Sequence, residues 1–482
     1  MQFIRTVSTG LFDKQKQIVN YFNYYNMAYI SVNPYNDKLN GKFELISDNE
    51  LMLKIDDADN AFRKWRKVHI RERAMLLMNL ADILEKEKDF HGRTMTSEMG
   101  KPVGQSIAEV EKCAYACRYY AKNAEKFLSP RKIMTAGASS FITFEPQGLV
   151  FAVMPWNFPY WQVIRCLAPA LLSGNGMVLK HASNVPLSAL NIEKAVNDAG
   201  FPNHLFANIF INHRQANIVL GSPSVRFVSL TGSNRAGEVI ASAAGAHIKK
   251  CVLELGGSDP LIVFHDANLE KAADGALIGR FQNNGQSCIA TKRLFVHEAV
   301  YPEFIHMLKQ RVESLNIGDP MDTNTYIGPL VNEEAVRELA DQVERSVAMG
   351  AEIMTGGRAG VPGKCFFEPT IILNVPFDSP AAIEETFGPV LPVFTFNDYD
   401  ELIKRVNDSI FGLGSSVWTN NSDIIDRISR DIDAGTVTIN AFTRSDPALP
   451  FGGVKSSGYG RELSEFGILE FVNIKTVSQF GI

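Results

Sequence analysis

Cysteine is scarce in this chain: six residues in 482, namely Cys113, Cys117, Cys166, Cys251, Cys288 and Cys365, with no paired CxxC spacing. That argues against a disulfide framework and against a zinc or other metal site, and makes a reducing cytoplasm the expected compartment. Long apolar runs are also missing. No stretch of about 18 apolar residues occurs, the longest runs being broken by residues such as Arg165 and Lys180, so no membrane span is expected. There is no basic excess either, with 48 Lys and Arg against 53 Asp and Glu and a net charge of -5, which leaves nothing to neutralise a nucleic-acid backbone. The GxGxxG dinucleotide fingerprint is absent as well, because Gly174-Asn175-Gly176 runs on to Leu179 where the third glycine is needed. Residues 1–26 lack the apolar core of a signal peptide, since Asp13, Lys14 and Lys16 interrupt it. They read as an N-terminal extension, with Met27 an equally acceptable start.

What is present is the pattern of an α/β protein. From Asp56 to Arg66 and from Arg71 to Lys88 apolar residues recur at helical spacing, Met75, Leu76, Met78, Leu80, Ile83 and Leu84 among them. Short apolar runs follow at 149–154, 177–179, 205–210 and 225–230, separated by helical stretches, the signature of a doubly wound parallel sheet covered on both faces. A second such series begins at Pro260 and is expected to form a second α/β domain. Ser139–Glu145 and Phe471–Val477 read as lone edge strands, which invite pairing with a second subunit.

Four positions carry candidate chemistry. Cys288 sits in the polar turn Gln282-Asn283-Asn284-Gly285-Gln286-Ser287-Cys288, with Lys292 and Arg293 downstream, a setting in which a thiolate can be stabilised; the other five cysteines read as core filler. Glu254 ends the strand Cys251–Glu254 just before Gly256-Gly257, either as a turn anchor or as a general base with room for substrate. Asn157 lies where a strand stops and a helix begins, as a cap or as a donor to an oxyanion. Thr231-Gly232-Ser233 joins a strand to a small-residue helix, a place for a pyrophosphate or a plain N-cap.

Together these pieces resemble the aldehyde dehydrogenase superfamily from about residue 30 to the C-terminus. The resemblance rests on Pro155-Trp156-Asn157-Phe158-Pro159, Glu254-Leu255-Gly256-Gly257, Gly285-Gln286-Ser287-Cys288, Glu384-Glu385-Thr386-Phe387-Gly388-Pro389 and Pro450-Phe451-Gly452-Gly453-Val454-Lys455-Ser456-Ser457-Gly458, all in the family's order. It implies Cys288 as nucleophile, Glu254 as base for the hydrolytic water, and Asn157 with the Cys288 N–H as oxyanion hole. It further implies a cofactor set of Trp156, Lys180, Ser183, Thr231, Gly232, Ser233, Glu385 and Phe387. Lys180 would meet the adenosine ribose, Ser233 the pyrophosphate, and Glu385 with Phe387 the nicotinamide side. The implied domains are a dinucleotide-binding domain of residues 27–130 and 151–254, a catalytic domain of 255–446, and oligomerisation strands in 131–150 and 467–482, pairing between subunits of a homodimer or homotetramer.

The subgroup resembled is the bacterial succinate-semialdehyde dehydrogenases, through Trp161–Arg165, Leu179–Asn184 and Lys249–Pro260. This implies oxidation of succinic semialdehyde, with Arg165, Trp161 and Ser445 as substrate residues and Arg165 gripping the carboxylate bidentately from a helix face it shares with Trp161. The bland reading of Arg165 is a surface salt bridge. NADP is the expected cofactor, with NAD also accepted, because Ser183 stands where many NAD-specific relatives carry a glutamate. Ala290 replaces the second cysteine that some relatives use as a redox switch. The rival readings are an acylating enzyme that passes its thioester to coenzyme A, which Glu254 argues against, a silent binding protein on the same fold, and a cysteine hydrolase, for which no histidine stands near Cys288.

Overall fold

The computed structural model describes residues 28–135 and 138–480, and the extension expected for residues 1–26 lies outside the described residues. The first large sheet has six strands in the order Gly458–Tyr459, Lys250–Glu254, Val225–Thr231, Leu149–Met154, Gly176–His181, Phe206–Asn208. All neighbours are parallel except the first pair. Buried apolar runs such as Leu149–Met154 form these strands because helices cover both faces. The chain starts in the middle of the sheet, winds to one side through Gly176–His181 and Phe206–Asn208, then returns to the other. This leaves a switch point at the carboxyl end of Leu149–Met154, where open α/β sheets hold ligands. The segments 155–157, 232–233 and 255–257 all leave the sheet at this end.

The first helix is longer than its apolar spacing announced, running Asp48–Trp65, because Ser47 and Glu50 close a reciprocal capping box at its start. Ile70–Lys86, Lys88–Met99 and Val103–Leu128 follow. The expected strand at 205–210 shrinks to Phe206–Asn208. The second sheet has seven strands in the order Glu352–Thr355, Thr370–Leu373, Val390–Phe396, Thr291–His297, Asp259–Val263, Gly414–Trp418, Thr436–Ile439, with only the first pair antiparallel. The doubly wound parallel architecture is therefore present twice.

The two strands read as lone edges are not alone. Ala138–Glu145 is the middle strand of a three-stranded antiparallel sheet, between Arg131–Thr135 and Asn473–Phe480. Alternation along each strand marks one half-buried face but not which distant strand completes the ladder. Among the described residues no helix is long and apolar enough to cross a membrane.

Candidate active site

Cys288 follows a turn whose shape is over-determined. Asn283 and Asn284 both take left-handed backbone, with φ of 55° and 56°, a conformation asparagine tolerates because its short amide can bond locally. Asn283 Nδ2 donates to the carbonyls of Asn157 (2.8 Å) and Gln286 (3.0 Å), and Asn284 Nδ2 to those of Gly100 (3.2 Å) and Pro329 (2.9 Å). Gly285 is left-handed too, and a Cβ there would lie 2.3 Å from the Gly388 carbonyl oxygen. Asn157 Nδ2 donates to the Gln286 carbonyl at 3.1 Å, so the expected oxyanion donor is tied to the nucleophile's own turn.

The paired glycines after Glu254 have separate jobs. A Cβ on Gly257 would lie 2.5 Å from the Cys288 carbonyl oxygen, and one on Gly256 2.7 Å from Glu385 Oε2. Their bareness lets the strand end, the cysteine turn and Glu385 converge. The Glu254 carboxylate is buried, and neither oxygen makes a hydrogen bond among the described residues. Burial pushes its pKa well up; Arg165 pulls it down and Glu462 pushes it up again.

The setting of the thiol differs from the sequence reading. Burial pushes Cys288 up to about 11, against the pull of Arg165 and Lys292 and with a further push from Glu385 and Glu254. Lys292 is largely spent elsewhere, donating to the Ser287 and Cys288 carbonyls at 2.8 Å each and pairing with Glu385 at 3.1 Å. Arg293 holds loops instead, donating to the carbonyls of Ser258, Arg405 and Val406.

Cys288 opens on a cavity of about 520 Å³ that Lys112, Trp161, Arg165, Arg444 and Ser445 also line. Arg165 corrects the surface salt-bridge reading and lines this cavity together with Trp161. The helix Trp161–Leu172 is buried on every side. The guanidinium forms a buried ion pair through Nε with Glu462, donates Nη2 to Thr231 Oγ1 at 3.0 Å, and packs over the Phe451 ring. A surface salt bridge is thus excluded, while Nη1 and the second Nη2 hydrogen carry no bond to the described residues. The same contacts turn Thr231 inward, and the Gly232 N–H is spent on the Glu254 carbonyl at 3.0 Å. Ser233, exposed at the start of the helix Asn234–Ala246, accepts from the Ala236 N–H as its N-cap.

The remaining cofactor candidates gather at the carboxyl end of the first sheet. Lys180 is drawn down to about 8 by burial, has no ion-pair partner among the described residues, and stands 5.9 Å from the centre of the Tyr29 ring. Ser183 is exposed three residues on. Trp156 meets Phe387 edge to face at 5.8 Å, and Glu385 Oε1 accepts from the Gly257 N–H at 3.1 Å. Sequence reasoning missed Glu462 and Lys112. Both reach the site only through tertiary contacts, Glu462 with Arg165 and Lys112 with Ser445.

Residues 25–477 match the aldehyde dehydrogenase family. Over 452 residues the chain is 45% identical to the probable succinate-semialdehyde dehydrogenase (NADP+) of Synechocystis, covering 94% of this chain and 99% of that one. It is 44% identical over 455 residues to succinate-semialdehyde dehydrogenase (NADP+) 1 of Mycobacterium tuberculosis, with coverage of 94% and 99%. The crystal structure of succinic semialdehyde dehydrogenase from Streptococcus pyogenes, in complex with NADP+, superposes with a TM-score of 0.91 at 37% identity, covering 93% of this chain and 99% of that one. The chain belongs to the aldehyde dehydrogenase family.

Proposed function

We propose that this enzyme oxidises succinic semialdehyde to succinate with NADP as the preferred acceptor and NAD as a poorer one. The observation that carries the reading is a single cavity holding the Cys288 thiol, the cationic Arg165 and the Ser445 hydroxyl, a combination suited to a short aldehyde ending in a carboxylate. The names of the relatives point the same way.

In this reading Cys288 gives its thiol proton to solvent water as Sγ attacks the aldehyde carbon, and the electron pair of the C=O π bond moves to the oxygen, which takes up negative charge between Asn157 Nδ2 and the Cys288 N–H. The chemistry NADP supplies is acceptance of the hydride released when this adduct collapses to a thioester on Cys288. Glu254 then removes a proton from water, which attacks the thioester carbonyl and frees the carboxylate product and the thiol. Lys180 and Ser183 would hold the 2′-phosphate. An ammonium buried without a carboxylate partner suits an arriving phosphate, and Ser183 brings no like charge. Ser233 would face the pyrophosphate, and Trp156, Glu385 and Phe387 the nicotinamide side.

Six free thiols suit a reducing cytoplasm. The domain division given above and a homodimer or homotetramer built through the three-stranded sheet belong to the same proposal. The test is catalytic efficiency of the wild type for succinic semialdehyde against butyraldehyde, and with NADP against NAD. One charge-assisted contact gives a preference of about 10- to 100-fold for the charged aldehyde. Equal efficiencies for the two aldehydes overturn the substrate, and a tenfold advantage of NAD overturns the cofactor.

A further inference from the structure

The aldehyde cavity contains a second basic side chain that no sequence motif marks. Lys112 stands on the long helix Val103–Leu128 and lines the cavity with Trp161, Arg165, Cys288 and Ser445. Its ammonium lies 4.1 Å from the centre of the Trp161 ring and donates to Ser445 Oγ at 2.7 Å.

The buried bases near it are matched, and it is not; Arg444, at the exposed side of the cavity, is unpaired as well among the described residues. Lys101 pairs with Glu109, Arg165 with Glu462, and Lys292 with Glu385, while Lys112 forms no ion pair among the described residues. Glu109, one turn earlier on the same helix, is committed: one oxygen pairs with Lys101 and the other accepts the Tyr160 and Trp161 N–H groups at 2.9 Å each. A partly buried ammonium whose contacts are a hydroxyl and a ring face has no carboxylate in ion-pair contact, Glu109 and Asp446 acting on it only at longer range. An anionic ligand in the cavity would provide one.

We propose that Lys112 is the residue that selects a carboxylate-bearing aldehyde. Its Nζ, steadied by the Trp161 ring and Ser445 Oγ, takes the substrate's far carboxylate in a charge-assisted hydrogen bond while the aldehyde carbon reaches Cys288 Sγ. This rests on the substrate reading above and deepens it. Arg165, with Nε and one Nη2 hydrogen engaged, adds positive charge to the same cavity. The charged and titratable groups around Lys112 are Glu109 and Cys113 on its own helix, Arg165 on the neighbouring helix, and Arg444 and Asp446 on the loop that carries Ser445. Burial draws Lys112 down to about 8, so the protonated form that binds a carboxylate is lost as pH rises through that value.

The experiment compares wild type, Lys112→Met and Lys112→Arg on succinic semialdehyde and butyraldehyde across pH 6.5–9.5. In Lys112→Met the efficiency ratio of charged to uncharged aldehyde falls about 10- to 100-fold, with the loss in KM rather than kcat. Lys112→Arg keeps most of the ratio. In wild type, KM for succinic semialdehyde climbs above about pH 8, and Lys112→Arg moves that climb to higher pH. A wild type that favours succinic semialdehyde together with a Lys112→Met variant that keeps the ratio overturns the Lys112 assignment alone. Equal losses on both aldehydes mean a structural role and overturn it too. A wild type with no preference overturns the substrate reading and this assignment with it.

Discussion

The half-buried Cys288 thiol and the buried Glu254 carboxylate are both pushed toward their neutral forms. With a pKa near 11, roughly one Cys288 in ten thousand is thiolate at pH 7 before any ligand binds. Alkylation of Cys288 by iodoacetamide in the cofactor-free protein, followed on its peptide by mass spectrometry, should rise about tenfold per pH unit from 7 to 10. A plateau near pH 7 would contradict that environment. Glu254 acts only as carboxylate, so thioester hydrolysis should speed up as pH rises toward its raised pKa. Glu254→Gln should still deliver one turnover of reduced cofactor, while the steady-state rate drops at least about 100-fold and loses that pH limb. An undiminished steady-state rate would remove Glu254 from the role of base.

At the scale of elements, the helix Trp161–Leu172 depends on a carboxylate from another helix. Tyr160, its N-cap residue, makes no side-chain cap, and Glu109 Oε1 accepts the Tyr160 and Trp161 N–H groups instead. The other Glu109 oxygen pairs with Lys101, which also lies 4.0 Å from the centre of the Phe158 ring. Glu109→Ala leaves a buried ammonium and two open N–H groups, and should cost about 3–5 kcal/mol in urea unfolding. Lys101→Met in the same chain should recover part of this by removing the stranded charge. Strictly additive losses would show that the two groups do not depend on each other.

This dependence also explains what the sequence could disclose. The turns around Cys288, Glu254 and Asn157 each admit a structural as well as a chemical reading, and it is the resemblance that assigns them roles; the left-handed asparagines and close glycine contacts that shape these turns are set by distant carbonyls such as those of Gly388 and Pro329. The two sheets were legible because buried strands leave apolar runs. Lys112 was not, since its partner Ser445 is 333 residues away and helical spacing does not say what a face will meet. The inward turn of Arg165 was hidden for the same reason, because periodicity marks an apolar stripe but not that Glu462 would arrive to let a charged residue be buried.

For the whole molecule, the three-stranded sheet is the part that the described residues cover least. Three strands need a covered face to be stable, yet Arg131–Thr135 is exposed along its length and Asn473–Phe480 nearly so. Met134 is 89% exposed, Phe480 71% and Ile474 56%, and among the described strands Asn473–Phe480 and Arg131–Thr135 are the outer members of the sheet. Open edges carrying apolar side chains pair with other copies unless charge or a cover prevents it. A symmetric contact through this sheet would bury the exposed side chains and extend the ladder, and a stable interface of this kind hides more than about 1,000 Å² in total. The protein should therefore sediment as a dimer or tetramer, and Met134→Asp with Ile474→Asp should shift it to single-chain mass with an unchanged circular dichroism spectrum. A wild type that sediments as a single chain, or a double variant that stays assembled, would rule this sheet out as the contact between subunits.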